Sequence, residues 1–462
     1  MASPVATPPP PHSQRYRPSL AGPIVLIAIG ALFLLRNFGV HVPVWHIFGR
    51  FWPLLLIIWG VIRLIEHMTW EREGYRTRVI GGGGILLLIF IVVLGLSAHY
   101  TSDINWQGMR DEIQMDDDFG GIFGNPYTFD DTLSQDVPSH SSLRVVCDRG
   151  ALSISPSGDA KLRVVIHKKL YAKSQNQANQ YNESTRPQIT VNDTSIVLNA
   201  NTNGAGDHAV QSDMEIFVPS TVTLDIASRR GDVTVNTRKA DVTINLQHGD
   251  LSLNEITGNA ALRLEKGSIR ATNIEGDVVI DGRIDDVSLE NVRGAVRLNG
   301  DFFNDIRLSR ITRNVTFKSS RSDMDIASVP GELDISRDSL RGNDLRGPAR
   351  LVTRSKDVHI EAMSGDLQVE TSNGDIEVHT AEKLPVGKMN IIDHRGDVSL
   401  VLPANAGFQV DATTQKGDIE TEFGQLKIDS NHGQSRLSGT VGNGAAKLQV
   451  EAQMGDIRIS KS

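Results

Sequence analysis

The sequence predicts a mainly β chain: a β-solenoid of about eighteen-residue coils, two strands to a coil, preceded by an α-helical membrane region of two to three spans. Three observations predict it. The phrase Gly-Asp-apolar-x-apolar recurs from residue 231 to the C-terminus. Its spacing stays close to eighteen residues. The long apolar runs are confined to the first hundred residues.

The elements follow in order. Residues 1–18, with Pro8-Pro9-Pro10-Pro11, read as a disordered Pro-rich lead. Residues 19–98 read as the membrane region, with spans at about 19–38, 47–65 and 79–98. The third, Val79–Ala98, has the roughly twenty apolar residues a crossing needs. The second, centred on Phe51–Ile62, is short and leans on its flanks. Trp45, Trp52 and Trp70 near the span ends suit the membrane interface. The basic residues set the orientation. With the N-terminus inside, the inner segments hold Arg15, Arg17, Arg63, Arg72, Arg76 and Arg78, and the outer loop only Arg36 and Arg50. The positive-inside rule then places the large C-terminal part outside the cytoplasm.

Residues 99–142 read as an acidic stalk or linker, because Asp116-Asp117-Asp118, Gly120-Gly121 and Asn125-Pro126 bury little apolar surface. Strand signals start at Leu143, so 143–462 is the expected solenoid. One interruption, Ala172–Thr185, is rich in helix formers and reads as a short helix beside the coils.

The coil period comes from counting. Gly231, Gly249, Gly267, Asp285, Asn304 and Ser322 are separated by 18, 18, 18, 19 and 18 residues. A half-step phrase falls about nine residues on, as at Gly276-Asp277-Val278 and Gly331-Glu332-Leu333. In Val233-Thr234-Val235 the two valines share a face and Thr234 takes the other. Two such strands face each other across a thin core. Gly and Asp then belong at the corners, Gly for its backbone freedom and Asp for bonding nearby N–H groups in an Asx-type turn. The basic residues before Gly (Arg230, Lys266, Arg395, Lys416) are expected to neutralise the Asp column. Calcium β-rolls are the competing reading, but their phrase is G-G-x-G-x-D, whereas this chain has one Gly per unit.

Composition argues against several functions. Beyond residue 100 the chain has 39 basic and 52 acidic residues, which disfavours nucleic acid as a partner. The His residues are scattered, with no His-x-x-x-His and no Cys pair. There is no P-loop and no G-x-S-x-G elbow. Cys147, the single cysteine, sits in a strand-like run and reads as a small buried hydrophobe. No residue is therefore assigned a catalytic, cofactor-binding or metal role, no cofactor is expected, and the chain reads as a non-enzyme.

Two resemblances add to this reading. Met214-Glu215-Ile216-Phe217-Val218-Pro219, then Val222–Ile226 and Gly231-Asp232-Val233, resemble the putative-adhesin β-strand-repeat family of bacterial surface proteins. The phrase recurs at Val398–Pro403 and Gly417-Asp418-Ile419, and the ending Leu437–Gly444 is similar too. Gly30–Gly39 and Phe51–Gly60 resemble the LiaF-like transmembrane region of bacterial envelope-stress regulators, with the third span as an addition. Together they imply a multi-pass protein of the bacterial cytoplasmic (inner) membrane with an adhesin-like solenoid facing the periplasm or exterior. Its expected partners are the lipid bilayer, envelope polymers, a membrane sensor kinase or a second copy of itself. The alternative role is regulation of an envelope-stress system through the membrane region.

Overall fold

The computed structural model describes residues 124–205, 210–382, 386–431 and 433–462. The chain divides into two compact units, Met1–Asp118 and Phe119–Ser462, and the described residues lie in the second. The three expected spans fall outside the described residues, as does the Pro-rich lead. No helix among the described residues is long and apolar enough to cross a membrane.

The described residues of the second unit form thirty-two strands arranged as two facing layers. Val242–His248 belongs to one layer; the chain turns at Gly249-Asp250 and Leu251–Ile256 joins the other. Eighteen residues on, the path repeats one strand higher. Val242 lies opposite Ala260 and Leu251 opposite Ile269, in parallel. A one-residue insertion gives the nineteen-residue step, so that Val287 pairs with Ile306. Each layer's inward residues fill a single continuous core, in which Leu253, Ile256, Leu264 and Ile280 are at most 1% exposed. Burying one such side chain stabilises the fold by roughly 2 kcal/mol. A lone coil has no second surface to cover its core, so the coils hold one another.

Strict alternation does not describe every strand. In Leu251–Ile256 the inward residues are Leu251, Leu253 and Ile256, a step of two and then three. The extra residue, Glu255, takes a left-handed backbone with φ of 58°. The same bulge recurs in register at Thr237, Asn273, Asn291 and Arg310, and each turns the following residue into the core. It also shapes later coils, at Asp344 and Ala362.

The eighteen-residue ladder was expected to run through Ser322 and Gly331, and there the structure departs from it. Ser322–Ile335 is one long strand that runs backwards. Its first half pairs antiparallel with Val315–Lys318 and Arg346–Thr353. Its second half crosses to the other layer and pairs antiparallel with Ile306–Ile311 and Ser339–Asn343. The reason it escapes a sequence reading is physical. Met324, Ile326, Val329, Leu333 and Ile335 keep the inward pattern, and that pattern is the same whichever way a strand runs.

Antiparallel strands close both layers at one end of the stack and one layer at the other, where the second layer ends in the parallel strand Ile419–Thr421. At one end Asn125–Asp136 pairs along its whole length with Lys161–Ala172. The acidic linker expected up to residue 142 therefore gives way to sheet at Asn125, where Tyr127, Phe129 and Leu133 supply alternate partly buried side chains. The expected helix is present at Gln175–Ser184, packed on this end through Ala178 and Tyr181. At the other end Gln434–Val441 pairs antiparallel with Phe408–Thr414, and Lys427–Asn431 adds the last strand. Three strands near the two ends of the sequence of the array are intercalated within it. Ser142–Cys147 sits between Ser195–Asn199 and Thr223–Arg230. Ala446–Ala452 sits between Val386–Asp393 and Phe408–Thr414, and Ile457–Lys461 between Val398–Leu402 and Ile419–Thr421.

Candidate binding surfaces of the solenoid

Outward side chains fall into columns because successive coils are in register. One face carries Thr234, Ser252, Arg270, Ser288 and Arg307 in adjacent strands. The opposite face carries Asp225, Thr243, Ala261, Val279 and Arg297. Thr234, which the alternation turns outward, is half-buried, as are Ser252 and Ser399 at the same place in their own strands.

The Gly-Asp corners form a second kind of column. Gly267 has φ of 132°, and a Cβ there would lie 2.1 Å from the carbonyl oxygen of Gly249 one coil below. Glycine is thus required by close approach as well as by backbone angle. The Asp does not close a local Asx turn as expected. Its carboxylate reaches the neighbouring coil: Asp232 Oδ1 accepts from the amide of Asp250 at 2.9 Å, and Asp250 Oδ1 from that of Ser268 at 2.8 Å. The reason is geometric. At a corner the amide of the next coil points along the stack, where a short carboxylate meets it. In the C-terminal half the ladder is unbroken through Asp357, Asp375, Asp397, Asp456 and Asp418, in that spatial order. Arg395 and Lys416 make no ion pair among the described residues, so the expected neutralisation by these two is replaced by amide donors.

Two histidines that are scattered in sequence meet on one face. His359 Nδ1 lies 2.8 Å from Glu377 and its Nε2 3.1 Å from Glu361. His379 Nε2 lies 2.9 Å from the other oxygen of Glu377. The bond to His379, joined by that to His359, holds the Glu377 carboxyl below the usual range. The signal was present: 359 and 377, like 361 and 379, are one coil apart. Among the described residues no group of three or more His, Cys, Asp or Glu side chains is disposed to hold a metal ion.

Other ionisable groups are inside. Cys147 is 2% exposed, and burial pushes its thiol up to about 12, which leaves an inert packing residue. Lys168 is buried and donates to Asn182 Oδ1 at 2.9 Å and to the Thr185 carbonyl at 3.0 Å, tying down the helix C-terminus. Burial lowers its ammonium below the usual range. Arg238 occupies the first place of the column continued by Ile256 and Ile274. Its guanidinium donates to the carbonyls of Val218, Pro219 and Val222, fixing the turn at which regular coils begin. Burial lowers it to about 10. Asp393 is fully buried, with one oxygen accepting from the Arg395 amide and the other without a partner. Desolvation raises it to about 6.

Residues 141–460 match the model of the toastrack DUF4097 family. The chain belongs to that family. The toastrack match begins at the first intercalated strand and ends with the last. A second model, the LiaF transmembrane domain, matches residues 21–109. That match takes in all three apolar stretches, so the third stretch belongs to the LiaF-type region rather than being an addition to it. The toastrack chain is thus joined to a LiaF transmembrane domain, which anchors it in a membrane. No curated protein matches the chain. Solved structures that match include a "putative cell adhesion protein" from Clostridium sporogenes ATCC 15579 at 10% identity, covering 73% of this chain and 100% of that one, with a TM-score of 0.17. Another is a "putative adhesin" from Bacteroides fragilis NCTC 9343 at 11% identity, covering 72% and 97%, with a TM-score of 0.21.

Proposed function

We propose that this protein is a multi-pass, non-catalytic component of the bacterial cytoplasmic membrane that displays its toastrack solenoid outside the cytoplasm as a binding surface. One observation carries the reading. Outward side chains are repeated in register over many coils, and the column Thr234, Ser252, Arg270, Ser288 and Arg307 is polar throughout; a periodic face suits an extended partner better than a single small molecule. The excess of arginine on the inner side of the expected spans supports the orientation. Photo-crosslinking in cells from positions 234, 252 and 399 tests it. Capture of an envelope polymer, a membrane protein or a second copy is the expected result. Crosslinks only to cytoplasmic proteins sink the proposed orientation, and no crosslinks at all sink the binding role.

The match of residues 21–109 to the LiaF transmembrane domain favours a second reading, regulation of an envelope-stress system through contact with a membrane sensor kinase. Deleting the gene then shifts a stress regulon. An unchanged transcriptome under cell-wall stress removes that reading and leaves the first intact.

A further inference from the structure

The reversing strand makes one corner unlike the rest. Ser322–Ile335 begins opposite Thr353 and ends opposite Leu340, so both of its ends lie at the same corner of the stack. Two hairpin turns, Lys318–Ser322 and Ser336–Ser339, therefore sit side by side there. The ordinary corner of the next coil, Arg354-Ser355-Lys356, packs across both. The Arg354 amide donates to the Arg321 carbonyl at 3.2 Å. Lys356 Nζ donates to the carbonyls of Ser336 and Arg337. The three turns read Lys-Ser-Ser-Arg-Ser, Ser-Arg-Asp-Ser and Arg-Ser-Lys.

The chemistry of the corner is inverted as well. Where Gly-Asp stands in other coils, Lys356 takes the glycine place, and Ser339 precedes Asp357 in the Asp column. Arg321, Arg337 and Arg354 are exposed, and none has an ion pair among the described residues. Arginines on the neighbouring sheet faces are paired: Arg307 with Asp334, and Arg350 with Asp323. Two acids stand at the corner: Asp338, in the second turn, whose charge favours the Lys356 ammonium, and Asp357, whose Oδ1 is used by the Asp375 amide. Arg321 lies close enough to Lys356 to oppose its charge. Residues 307–356 hold eleven basic and six acidic residues within an acidic domain.

We infer that this corner is a binding site for phosphodiester groups, with Arg321, Arg337, Arg354 and Lys356 as its cations and the turn serines as supporting donors. Guanidinium forks on three adjacent turns suit a group with several acceptor oxygens, and phosphate is such a group. The inference rests on the reading of the solenoid as a binding surface and gives that surface a ligand class. A glycerol phosphodiester could be presented by a polymer or by a lipid headgroup.

The test uses the full chain held in phosphatidylcholine nanodiscs. Soluble poly(glycerol phosphate) is one probe and immobilised phosphatidylglycerol vesicles the other. The triple variant Arg321→Gln, Arg337→Gln, Arg354→Gln should weaken binding at least tenfold in Kd. The control Arg186→Gln, Arg263→Gln, Arg283→Gln removes the same charge from exposed positions outside the corner and the two outward columns, and should leave it within about twofold. Binding of the polymer alone, the vesicles alone or both identifies the source. An unchanged melting temperature of the first triple variant excludes loss of fold. The corner is refuted if neither probe binds, if the first triple binds like the parent, or if both triples lose affinity equally. Crosslinks from positions 234, 252 or 399 would survive such a failure, which separates it from failure of the binding role itself.

Discussion

Asp393 shows how much one buried carboxyl can weigh in a thin core. Its column neighbours across the strands are Thr371 and Ala452. Its folded-state value, about 6, is above the unfolded value near 3.8. Below the lower value both states hold the proton and folding is indifferent. Above the upper value both are ionised, and the fold bears the desolvated charge. Stability is therefore lost as pH rises from about 4 to about 6, by roughly 3 kcal/mol. Asp393→Asn keeps the acceptor for the Arg395 amide and removes the charge. The variant should melt higher than the parent at pH 7.5, and the gap should close by pH 4. Nothing in the sequence marked this residue. The Gly-Asp phrase drew attention to the exposed aspartates, whereas Asp393 lies three residues before Gly396, at the inward end of a strand. The left-handed bulges were hidden for a related reason. Glu255, Arg310 and Ala362 have no composition in common, and only the spacing of Leu253 and Ile256 betrays the extra residue.

At the scale of elements, strands and corners were legible and direction was not. Val233–Arg238, Leu251–Ile256 and Ile269–Ile274 fall where the counted period puts them, because stacking forces every coil to the same length. The reversal at Ser322–Ile335 left that period intact, so counting passed over it, and with it the corner where three cationic turns meet. The strand Asn125–Asp136 was missed because acids and a proline mask its alternation. The helix Gln175–Ser184 was legible from composition, yet its anchor was not, since Lys168 belongs to a strand. Lys168→Met should preserve the packing volume and leave the Thr185 carbonyl and the Asn182 side chain without their donor. Each such loss costs on the order of 1 kcal/mol or more. Hydrogen exchange over residues 175–184 should then quicken about tenfold or more, with exchange over 242–302 unchanged. Equal exchange in parent and variant would show that Lys168 does not hold the helix.

For the whole described array, the C-terminal strands act as a keystone. Phe408–Thr414 reaches the rest of its layer only through Ala446–Ala452, and Ile419–Thr421 only through Ile457–Lys461. A chain ending before Ala446 should lose protection over residues 404–441 in limited proteolysis, while 231–302 stays resistant. Retained protection of 404–441 would mean that this hairpin stands without its neighbours. The membrane-anchored toastrack architecture was readable from the apolar runs and the repeat together. The order of the last coils was not, because the phrases at Gly417 and Gly455 are alike and only tertiary pairing decides which lies inside.

The intercalated strands also constrain how such a protein can change length in evolution. An array that ends in a free coil can grow by adding repeats to its tip. Here Ser142–Cys147, Ala446–Ala452 and Ile457–Lys461 each lie between two other strands, so a repeat continued from any of them would meet a strand already in place. New coils can enter only in the interior, as whole blocks of about eighteen residues that preserve the register of the Asp ladder. Longer and shorter relatives should therefore share their two ends and differ in the middle.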